Sequence, residues 1–297
     1  MTTARIESVT VVGAGFMGWQ IALQTAIHGI PVTLTDLSAE ALTRAGAHQR
    51  AQLDIWIAAG RLTTDEAGAV LGRIHTAAGP VPADLMIEAV PERLEVKREI
   101  FARLDALCPP HSLLATNSSS FRVARIEDIV RRRDRVLNLH FFGVVWQRPM
   151  VELMGGSETS EATLAAAADW VRRIGLTPLG VRKQSTGFLF NRIWRAIKKE
   201  ALTVADTGVA SVEDIDRAWM IFMNHDTGPF GLMDLIGLDV IADIERVYQR
   251  ESGDPKDAPP RLLLDLVERG DLGVKTGRGF YVYPDPAFAR PDFLRGE

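Results

Sequence analysis

The feature that most constrains this chain is a glycine motif close to its start, Gly13-Ala14-Gly15-Phe16-Met17-Gly18. The motif has the spacing G-x-G-x-x-G, follows an apolar β-forming run and precedes a helix-forming run. In that context Gly13 permits a tight turn, Gly15 lets the backbone approach a pyrophosphate, and Gly18 lets the helix pack against the strand. Free N–H groups at the start of the helix favour bound phosphates. The motif therefore predicts a dinucleotide-binding turn.

An acidic residue follows at the expected place. A second β-forming run ends at Asp36, close to the spacing at which such folds place the carboxylate that binds the adenosine ribose. A carboxylate repels a 2′-phosphate, and the neighbouring Leu37 and Ser38 supply no arginine to receive one. The sequence therefore predicts NAD rather than NADP. The alternative, a glycine turn with an ordinary surface aspartate, is disfavoured because strand, turn, helix, strand and acid occur in order.

The order of apolar runs predicts two domains. Residues 1–184 alternate between β-forming and helix-forming runs, with a helical insert at about 39–72, whereas residues 185–297 contain helix-forming runs only. This pattern predicts an α/β fold with a Rossmann-like, doubly wound, mostly parallel sheet, followed by an all-helical C-terminal domain. The local predictions are a short helix over Val123–Val130, helices over Phe188–Thr207 and about Gly231–Glu251, and an aromatic strand or hook near the end of the chain.

Composition excludes several classes of function. The net charge of −4 argues against nucleic acid as a main partner. The single cysteine, Cys108, excludes an intramolecular disulfide and suits a reducing cytoplasm, and no Cys/His cluster has the spacing of a metal site. The first strand begins so early that we expect no signal peptide, and no apolar run reaches the ~18 residues needed to span a bilayer.

Two residues near the predicted sheet edge could carry proton transfer. His140 lies near the end of the run Val136–Phe142, and Glu152 is a carboxylate inside the apolar run Met150–Met154. A buried carboxylate is costly unless paired, and His140 is the nearest plausible partner. An imidazole oriented by a carboxylate can accept a proton on its other nitrogen. Beside a nicotinamide this arrangement predicts alcohol oxidation, and Ser119 could hydrogen-bond the substrate oxygen.

Each of these residues also has a structural interpretation. A lone histidine beside apolar residues is more often a core or surface residue, and Glu152 alone could be a bulge or edge residue. Serines after a strand are more often part of a turn. The arginine-rich stretch over residues 122–135 predicts a solvated basic helix and turn, or a docking face for an acidic carrier protein.

The ordered motifs of the whole chain resemble the L-3-hydroxyacyl-CoA dehydrogenase family. The resemblance runs from residue 6 to about residue 283. It rests on the glycine motif, Glu88-Ala89-Val90-Pro91-Glu92, Asn117-Ser118-Ser119-Ser120, His140-Phe141-Phe142, Gly187-Phe188-x-x-Asn191-Arg192, Gly228-Pro229-Phe230 and Gly273-x-Lys275-x-Gly277-x-Gly279-Phe280-Tyr281.

The resemblance implies a function and a set of site residues. It implies NAD-dependent interconversion of a short L-3-hydroxyacyl thioester, such as 3-hydroxybutyryl-CoA, and its 3-keto form, by a homodimer that assembles through the helical domain. The implied catalytic residues are His140, Glu152, Ser119 and Asn191. The implied substrate contacts are Ser119, Asn191 and Arg61. The implied cofactor contacts are Gly13, Ala14, Gly15, Phe16, Met17, Gly18, Asp36, Ala89, Val90, Glu92, Lys97, Asn117 and Lys275.

The chain departs from the family pattern at two places. The family usually has Asn-Pro after His-Phe-Phe, where this chain has Gly143-Val144. Asp54, Ala58 and Ala59 stand where the family has a serine and lysines near the CoA phosphates, and Arg61 keeps a positive charge. A carrier-protein thioester or a free hydroxy acid is therefore an alternative substrate, and an NAD-binding protein without turnover is an alternative function.

Overall fold

The computed structural model of the chain describes residues 5–296. It divides into two compact units, Met1–Leu189 and Phe190–Glu297. Residues 185–189, which the sequence assigns to the helical domain, belong to the first of these units.

The first unit contains one sheet of eight strands in the order β3-β2-β1-β4-β5-β6-β7-β8. Neighbouring strands are parallel except for the antiparallel pair β6 and β7. The predicted Rossmann-like, mostly parallel sheet is confirmed. The strands are β1 (Val9–Val12), β2 (Val32–Thr35), β3 (Ile74–Ala77), β4 (Leu85–Glu88), β5 (Leu113–Thr116), β6 (Val136–Phe141), β7 (Met150–Gly155) and β8 (Thr177–Val181).

The connections between these strands cover the sheet, and two apolar clusters form its core. Central strands are buried on both faces, which explains their continuous apolar sequences. The helices of this unit are α1 (Phe16–Ile27), α2 (Ala39–Ala58), α3 (Thr64–Leu71), α4 (Leu94–Leu107) and α5 (Glu161–Arg173). Helices α2 and α3 form the predicted insert. Thr63 and Glu66 cap α3 by exchanging hydrogen bonds with each other's backbone N–H.

The predicted helix over Val123–Val130 is wrong. Two 3₁₀ turns, Val123–Arg125 and Glu127–Ile129, replace it, and Ile126 between them leaves the helical region with φ −126° and ψ −35°. The Glu127 carboxylate is buried and accepts hydrogen bonds from the backbone and hydroxyl of Ser157, which holds the segment in this shape.

Several arginines of the basic stretch are paired rather than free. Arg131 and Arg132 bind Asp105, and Arg133 binds Glu158. Their charges therefore hold the segment against its neighbours, whereas the sequence predicted a solvated basic helix and turn or a docking face.

The second unit is helical. Its helices are α6 (Phe190–Asp206), α7 (Val212–Met223), α8 (Pro229–Ile236), α9 (Leu238–Ser252) and α10 (Arg261–Arg269). The single helix predicted over Gly231–Glu251 is wrong, because Gly237 adopts φ 106°, which ends α8 and starts α9. The predicted start at Phe188 is also wrong, since Phe188 has φ 53° and α6 begins at Phe190.

The end of the second unit forms a hook and not a strand. Two isolated bridges, Gly273 with Arg278 and Arg278 with Val282, fold it back on itself. The backbone N–H of Tyr281 donates to Asp234, and its hydroxyl donates to Asp216. Burial raises the pKa of Asp216 to about 6. These contacts attach the hook to α7 and α8.

Among residues 5–296, no helix has both the length and the apolar character required to cross a membrane.

Candidate active site

A cavity of about 980 Å³ lies in the first unit, along the edge where the parallel strands end. Carboxyl ends of parallel strands meet at one edge of such a sheet, and ligands bind there. The predicted cofactor residues that line this cavity are Gly13, Ala14, Gly15, Phe16, Met17, Asp36, Ala89, Val90, Glu92, Lys97 and Asn117. Ser119 also lines it. The structure thus brings most of the predicted cofactor contacts to one cavity.

The three motif glycines have the distinct surroundings expected for a dinucleotide turn. Gly13 has φ 109°, and a Cβ there would lie 2.5 Å from the carbonyl oxygen of Ala89. A Cβ on Gly18 would overlap the carbonyl oxygen of Gly13, so the helix needs glycine to approach the strand. A Cβ on Gly15 would meet nothing within 4 Å, which leaves that position open for a ligand. The motif therefore fits the pyrophosphate of NAD.

The start of α1 offers hydrogen-bond donors to this cavity. Its N-cap is Gly15, no side chain caps it, and its first turn contains no acidic residue. The first N–H groups of a helix have no partner within the helix and favour an anion. Phosphate oxygens can therefore bind here without competition from a side-chain carboxylate.

Asp36 follows β2 and is half-buried at the cavity wall. Its carboxylate accepts hydrogen bonds from the backbone N–H of Ala14, at 2.8 Å, and of Ser38, also at 2.8 Å. These contacts fix a negative charge beside the glycine motif. A ribose hydroxyl of NAD can donate a hydrogen bond to this carboxylate, whereas the 2′-phosphate of NADP would be repelled by it.

We expect the enzyme to use NAD with a kcat/KM at least about 100-fold above that for NADP, since like charges a few ångströms apart repel by a few kcal/mol near a protein surface. Steady-state kinetics with the two oxidised cofactors measures the ratio. Asp36→Ser should narrow it, because serine keeps a polar group there without the charge. Comparable efficiencies of the wild type with both cofactors would contradict the placement of Asp36 at the ribose.

A buried charged cluster lies under the cavity floor. The Lys97 ammonium binds Glu88 at 2.8 Å and Glu92 at 3.0 Å, and both Lys97 and Glu88 are at most 1% exposed. The hydroxyl of Thr116 and the N–H of Val90 also donate to Glu88. Lys97 lines the cavity, but its charge is shared between two carboxylates. Its predicted contact with the cofactor stays a prediction.

Glu92 connects this cluster to the loop after β5. Its Oε1 accepts hydrogen bonds from the hydroxyls of Ser118 and Ser120. Burial alone would raise the pKa of Glu92, but the Lys97 ammonium and these two hydroxyls together lower it. Glu92 is therefore a carboxylate held ionised at the cavity wall.

The loop after β5 presents Ser119 to the cavity. The side-chain oxygen of Asn117 accepts a hydrogen bond from the N–H of Phe141, at 2.9 Å, and the Asn138 amide donates to the carbonyl of Ser118, at 2.9 Å. Both contacts hold the loop to β6, the strand that carries His140. Ser119 follows these two anchored residues, is exposed and lines the cavity.

His140 and Glu152 form a hydrogen-bonded pair, as the sequence predicts. The antiparallel register of β6 and β7 places them directly opposite each other. His140 Nδ1 lies 2.8 Å from Glu152 Oε2, and the two side chains are 6% and 0% exposed. A carboxylate can only accept, so Nδ1 carries the hydrogen and Nε2 is left as the acceptor.

The last residues of the first unit enclose this pair. The ring of Phe188 stacks on His140 at 5.0 Å between centroids, and Phe142 lies at 4.5 Å. The N–H of Leu189 donates to Glu152 Oε1 at 3.0 Å. Sequence analysis assigned no contact to Phe188 or Leu189, although the motif Gly187-Phe188 marked the segment. These contacts exclude water from the pair and fix the Glu152 carboxylate.

Three further predicted site residues are not among those that line the cavity. Asn191 is half-buried near the start of α6, and the Lys275 ammonium binds Asp239 at 2.5 Å, both in the second unit. Arg61 is exposed between α2 and α3. Their predicted roles rest on the resemblance and stay predictions.

Comparison with known proteins agrees with this geometry. The family model described as the NAD binding domain of 3-hydroxyacyl-CoA dehydrogenase matches residues 8–185, and the model of the C-terminal domain matches residues 187–283. The chain belongs to the 3-hydroxyacyl-CoA dehydrogenase family. It is an NAD-dependent oxidoreductase, and the fold, enzyme class and cofactor predicted from the sequence are confirmed.

Three similar proteins show which members of the family this chain resembles. A 3-hydroxybutyryl-CoA dehydrogenase of Mycobacterium tuberculosis is 37% identical over 283 residues, which cover 94% of this chain and 99% of the relative. A 3-hydroxyadipyl-CoA dehydrogenase of Escherichia coli is 38% identical over 93% of this chain and 59% of the relative. The crystal structure of (S)-3-hydroxybutyryl-CoA dehydrogenase from Ralstonia eutropha is 35% identical, covers 94% of this chain and 100% of that one, and superposes with a TM-score of 0.88.

Proposed function

We propose that this dehydrogenase interconverts a short-chain L-3-hydroxyacyl-CoA, such as 3-hydroxybutyryl-CoA, and its 3-keto form, with His140 as the general base. The observation that carries this proposal is the buried hydrogen bond between His140 of β6 and Glu152 of β7. Strand β6 pairs with β5, which leads into the loop of Ser119. The names of several relatives, which act on 3-hydroxybutyryl-CoA, support the choice of substrate.

The proposed chemistry follows from the orientation of the imidazole. NAD, when bound, supplies the acceptor for the hydride that leaves C3 of the substrate. His140 Nε2 accepts the proton of the C3 hydroxyl as the C–H bond breaks and the C=O bond forms. Glu152 then stabilises the imidazolium through its hydrogen bond to Nδ1. In the reverse direction His140 returns this proton to the carbonyl oxygen.

Further residues have proposed binding roles. The Ser119 hydroxyl hydrogen-bonds the substrate oxygen and holds it near His140, while Asn191 and Arg61 contact the substrate. The cofactor contacts are the glycine motif, Asp36, Glu92, Asn117 and the other predicted residues that line the cavity, together with Lys97 and Lys275. These assignments combine the lining of the cavity with the family resemblance.

The positions that would contact the CoA phosphates depart from the family pattern in this chain. Asp54, Ala58 and Ala59 are exposed on α2 and at its end, so these positions of the insert present a carboxylate and two methyl groups where the family pattern has a serine and lysines. Each exposed cation that contacts a phosphate contributes roughly 0.2–1 kcal/mol. We therefore propose a weak but real contribution of the CoA nucleotide through Arg61.

The function is tested by comparing acetoacetyl-CoA with acetoacetyl-N-acetylcysteamine, which lacks the nucleotide, in an NADH oxidation assay. We expect turnover of both and a kcat/KM about fivefold higher for the CoA thioester, which corresponds to about 1 kcal/mol of exposed ionic contact. Arg61→Ala should reduce that ratio without lowering kcat. Equal efficiencies would favour a carrier-protein thioester or free acid, and NADH binding without turnover of any 3-keto compound would favour a protein without catalytic activity.

We also propose a homodimer that assembles through the helical second unit. Several of its large apolar side chains are exposed, among them Phe222 at 87%, Leu235 at 61% and Ile221 at 58%. Exposed apolar groups in such number mark a protein interface more often than a free surface. Light scattering at micromolar concentration should give twice the mass of one chain. Phe222→Glu should then shift it to the monomer mass, whereas a monomeric wild type would contradict the proposal.

A cytoplasmic location is part of the proposal. Its support is the lone, buried Cys108, which is unpaired, and the match to metabolic dehydrogenases.

A further inference from the structure

The loop that follows β6, residues 142–149, is attached to the first turns of α1. The N–H of Val145 donates to the buried Gln20 side chain at 3.1 Å, and Gln20 in turn donates to the carbonyl of Phe16 at 2.8 Å. The rings of Trp19 and Trp146 lie 5.7 Å apart. The glycine motif and the segment that leads away from His140 are therefore held together by side chains of α1.

Phe16 and Gly143 approach each other closely between these two segments. A Cβ built on Gly143 would overlap Cε1 of Phe16 and would lie 3.1 Å from its Cζ and 3.3 Å from Sδ of Met17. Gly143 does not have a positive φ, so its own backbone torsion does not demand glycine. A side chain at position 143 would therefore require the phenyl ring of Phe16 to move.

The same ring borders the cofactor cavity. Phe16 is 63% exposed, and both Phe16 and Met17 line the cavity. A group that pushes the ring away from Gly143 would therefore move it toward the cavity or solvent and not into the core. The absence of the family's usual asparagine after His140-Phe141-Phe142 has a local cause, because that side chain and the Phe16 ring would occupy the same volume.

We propose that Phe16 is a positioning residue for the cofactor and that Gly143 is the position that admits its ring, so that the two residues act as one coupled determinant. The ring sets how the glycine motif lies against the loop after β6, and through that loop how the bound dinucleotide lies relative to His140. This inference rests on NAD binding at the cavity and not on the identity of the acyl substrate.

The test is a double-mutant cycle on NADH binding and turnover. Gly143→Ala should raise the Kd for NADH about tenfold, because the added methyl displaces the ring at the cavity wall. The KM for NAD should rise with it, kcat should change less, and the melting temperature should stay within about 2 °C because the ring is exposed. Adding Phe16→Ala to Gly143→Ala should return the Kd to that of Phe16→Ala alone.

A matched control separates this contact from a general effect of the substitution. Gly180 in β8 belongs to the same unit, also lacks a positive φ, and a Cβ there would meet nothing within 4 Å. Gly180→Ala should leave the Kd for NADH unchanged. A more demanding test introduces the family residue, since Gly143→Asn should weaken NADH binding further and Phe16→Leu in that background should restore part of it.

Several results would overturn the inference. A Gly143→Ala variant with wild-type affinity would show that the ring is free to move without consequence. A variant that loses affinity or folding and is not rescued by Phe16→Ala would show that Phe16 is not the cause. NADH titration followed by fluorescence needs no acyl substrate, so its outcome is independent of whether the proposed 3-hydroxyacyl-CoA is turned over.

Discussion

Replacing His140 by glutamine should lower kcat by about 10³-fold or more while changing the Kd for NADH less than about twofold, since loss of a general base alone removes a factor of 10²–10⁴. Glutamine keeps much of the volume and a polar end, but its amide cannot take up the substrate proton. The His140 side chain is 6% exposed, and His140 is not among the residues that line the cofactor cavity, so NADH should still bind. Single-turnover assays and NADH titration give the two quantities.

Two further variants help to interpret the effect of His140→Gln. Glu152→Gln should also reduce kcat severely, because a neutral amide stabilises an imidazolium poorly and has one acceptor oxygen for two donors, Nδ1–H of His140 and N–H of Leu189. His75→Gln is the matched control, since His75 is exposed on β3, and it should behave as the wild type. If His140→Gln retains near-normal turnover, the proton acceptor is another group.

Replacing Lys97 by methionine should destabilise the protein by about 3–5 kcal/mol, the usual effect of removing one partner of a buried ion pair. The change leaves the Glu88 carboxylate, which is 0% exposed, without its cation. Urea unfolding at pH 7 measures the loss.

The matched comparison for this variant is an exposed pair. Arg133 and Glu158 are 40% and 59% exposed, so Arg133→Met should cost no more than about 1 kcal/mol. The double variant Lys97→Met with Glu88→Gln should be more stable than Lys97→Met alone, since it also removes the fully buried carboxylate charge that Lys97→Met leaves without its cation. An unfolding free energy of Lys97→Met close to that of the wild type would mean that the buried cluster contributes little.

Local patterns predicted the mostly parallel sheet of the first unit and the main pair of the site. The glycine motif was recognised because its spacing lies between a β-forming run and a helix-forming run. His140 and Glu152 were paired correctly because a carboxylate inside an apolar strand requires a partner, and the next polar residue on the neighbouring strand was the histidine. In both cases the physical constraint is visible within a short stretch of sequence.

The features that were missed depend on contacts between distant elements. The family resemblance marked Lys97 as a cofactor contact, but it did not reveal that Glu88 and Glu92 share its charge. Gly237 was predicted inside one long helix because glycine is tolerated there, and only its φ of 106° divides α8 from α9. The segment after Gly187 was predicted to be helical, whereas its contacts with His140 and Glu152 hold it in an irregular shape.

The position of Leu189 has a consequence for anyone who wishes to express the nucleotide-binding half alone. A protein that stops at residue 184, where the sequence pattern changes, would lose the ring over His140 and the donor to Glu152. The Glu152 carboxylate, which is buried in the whole chain, would then be exposed to water near the new C-terminus. A stop codon after Leu189 retains both contacts. Residues 185–189, which the sequence pattern assigns to the helical domain, therefore complete the structure of the nucleotide-binding unit.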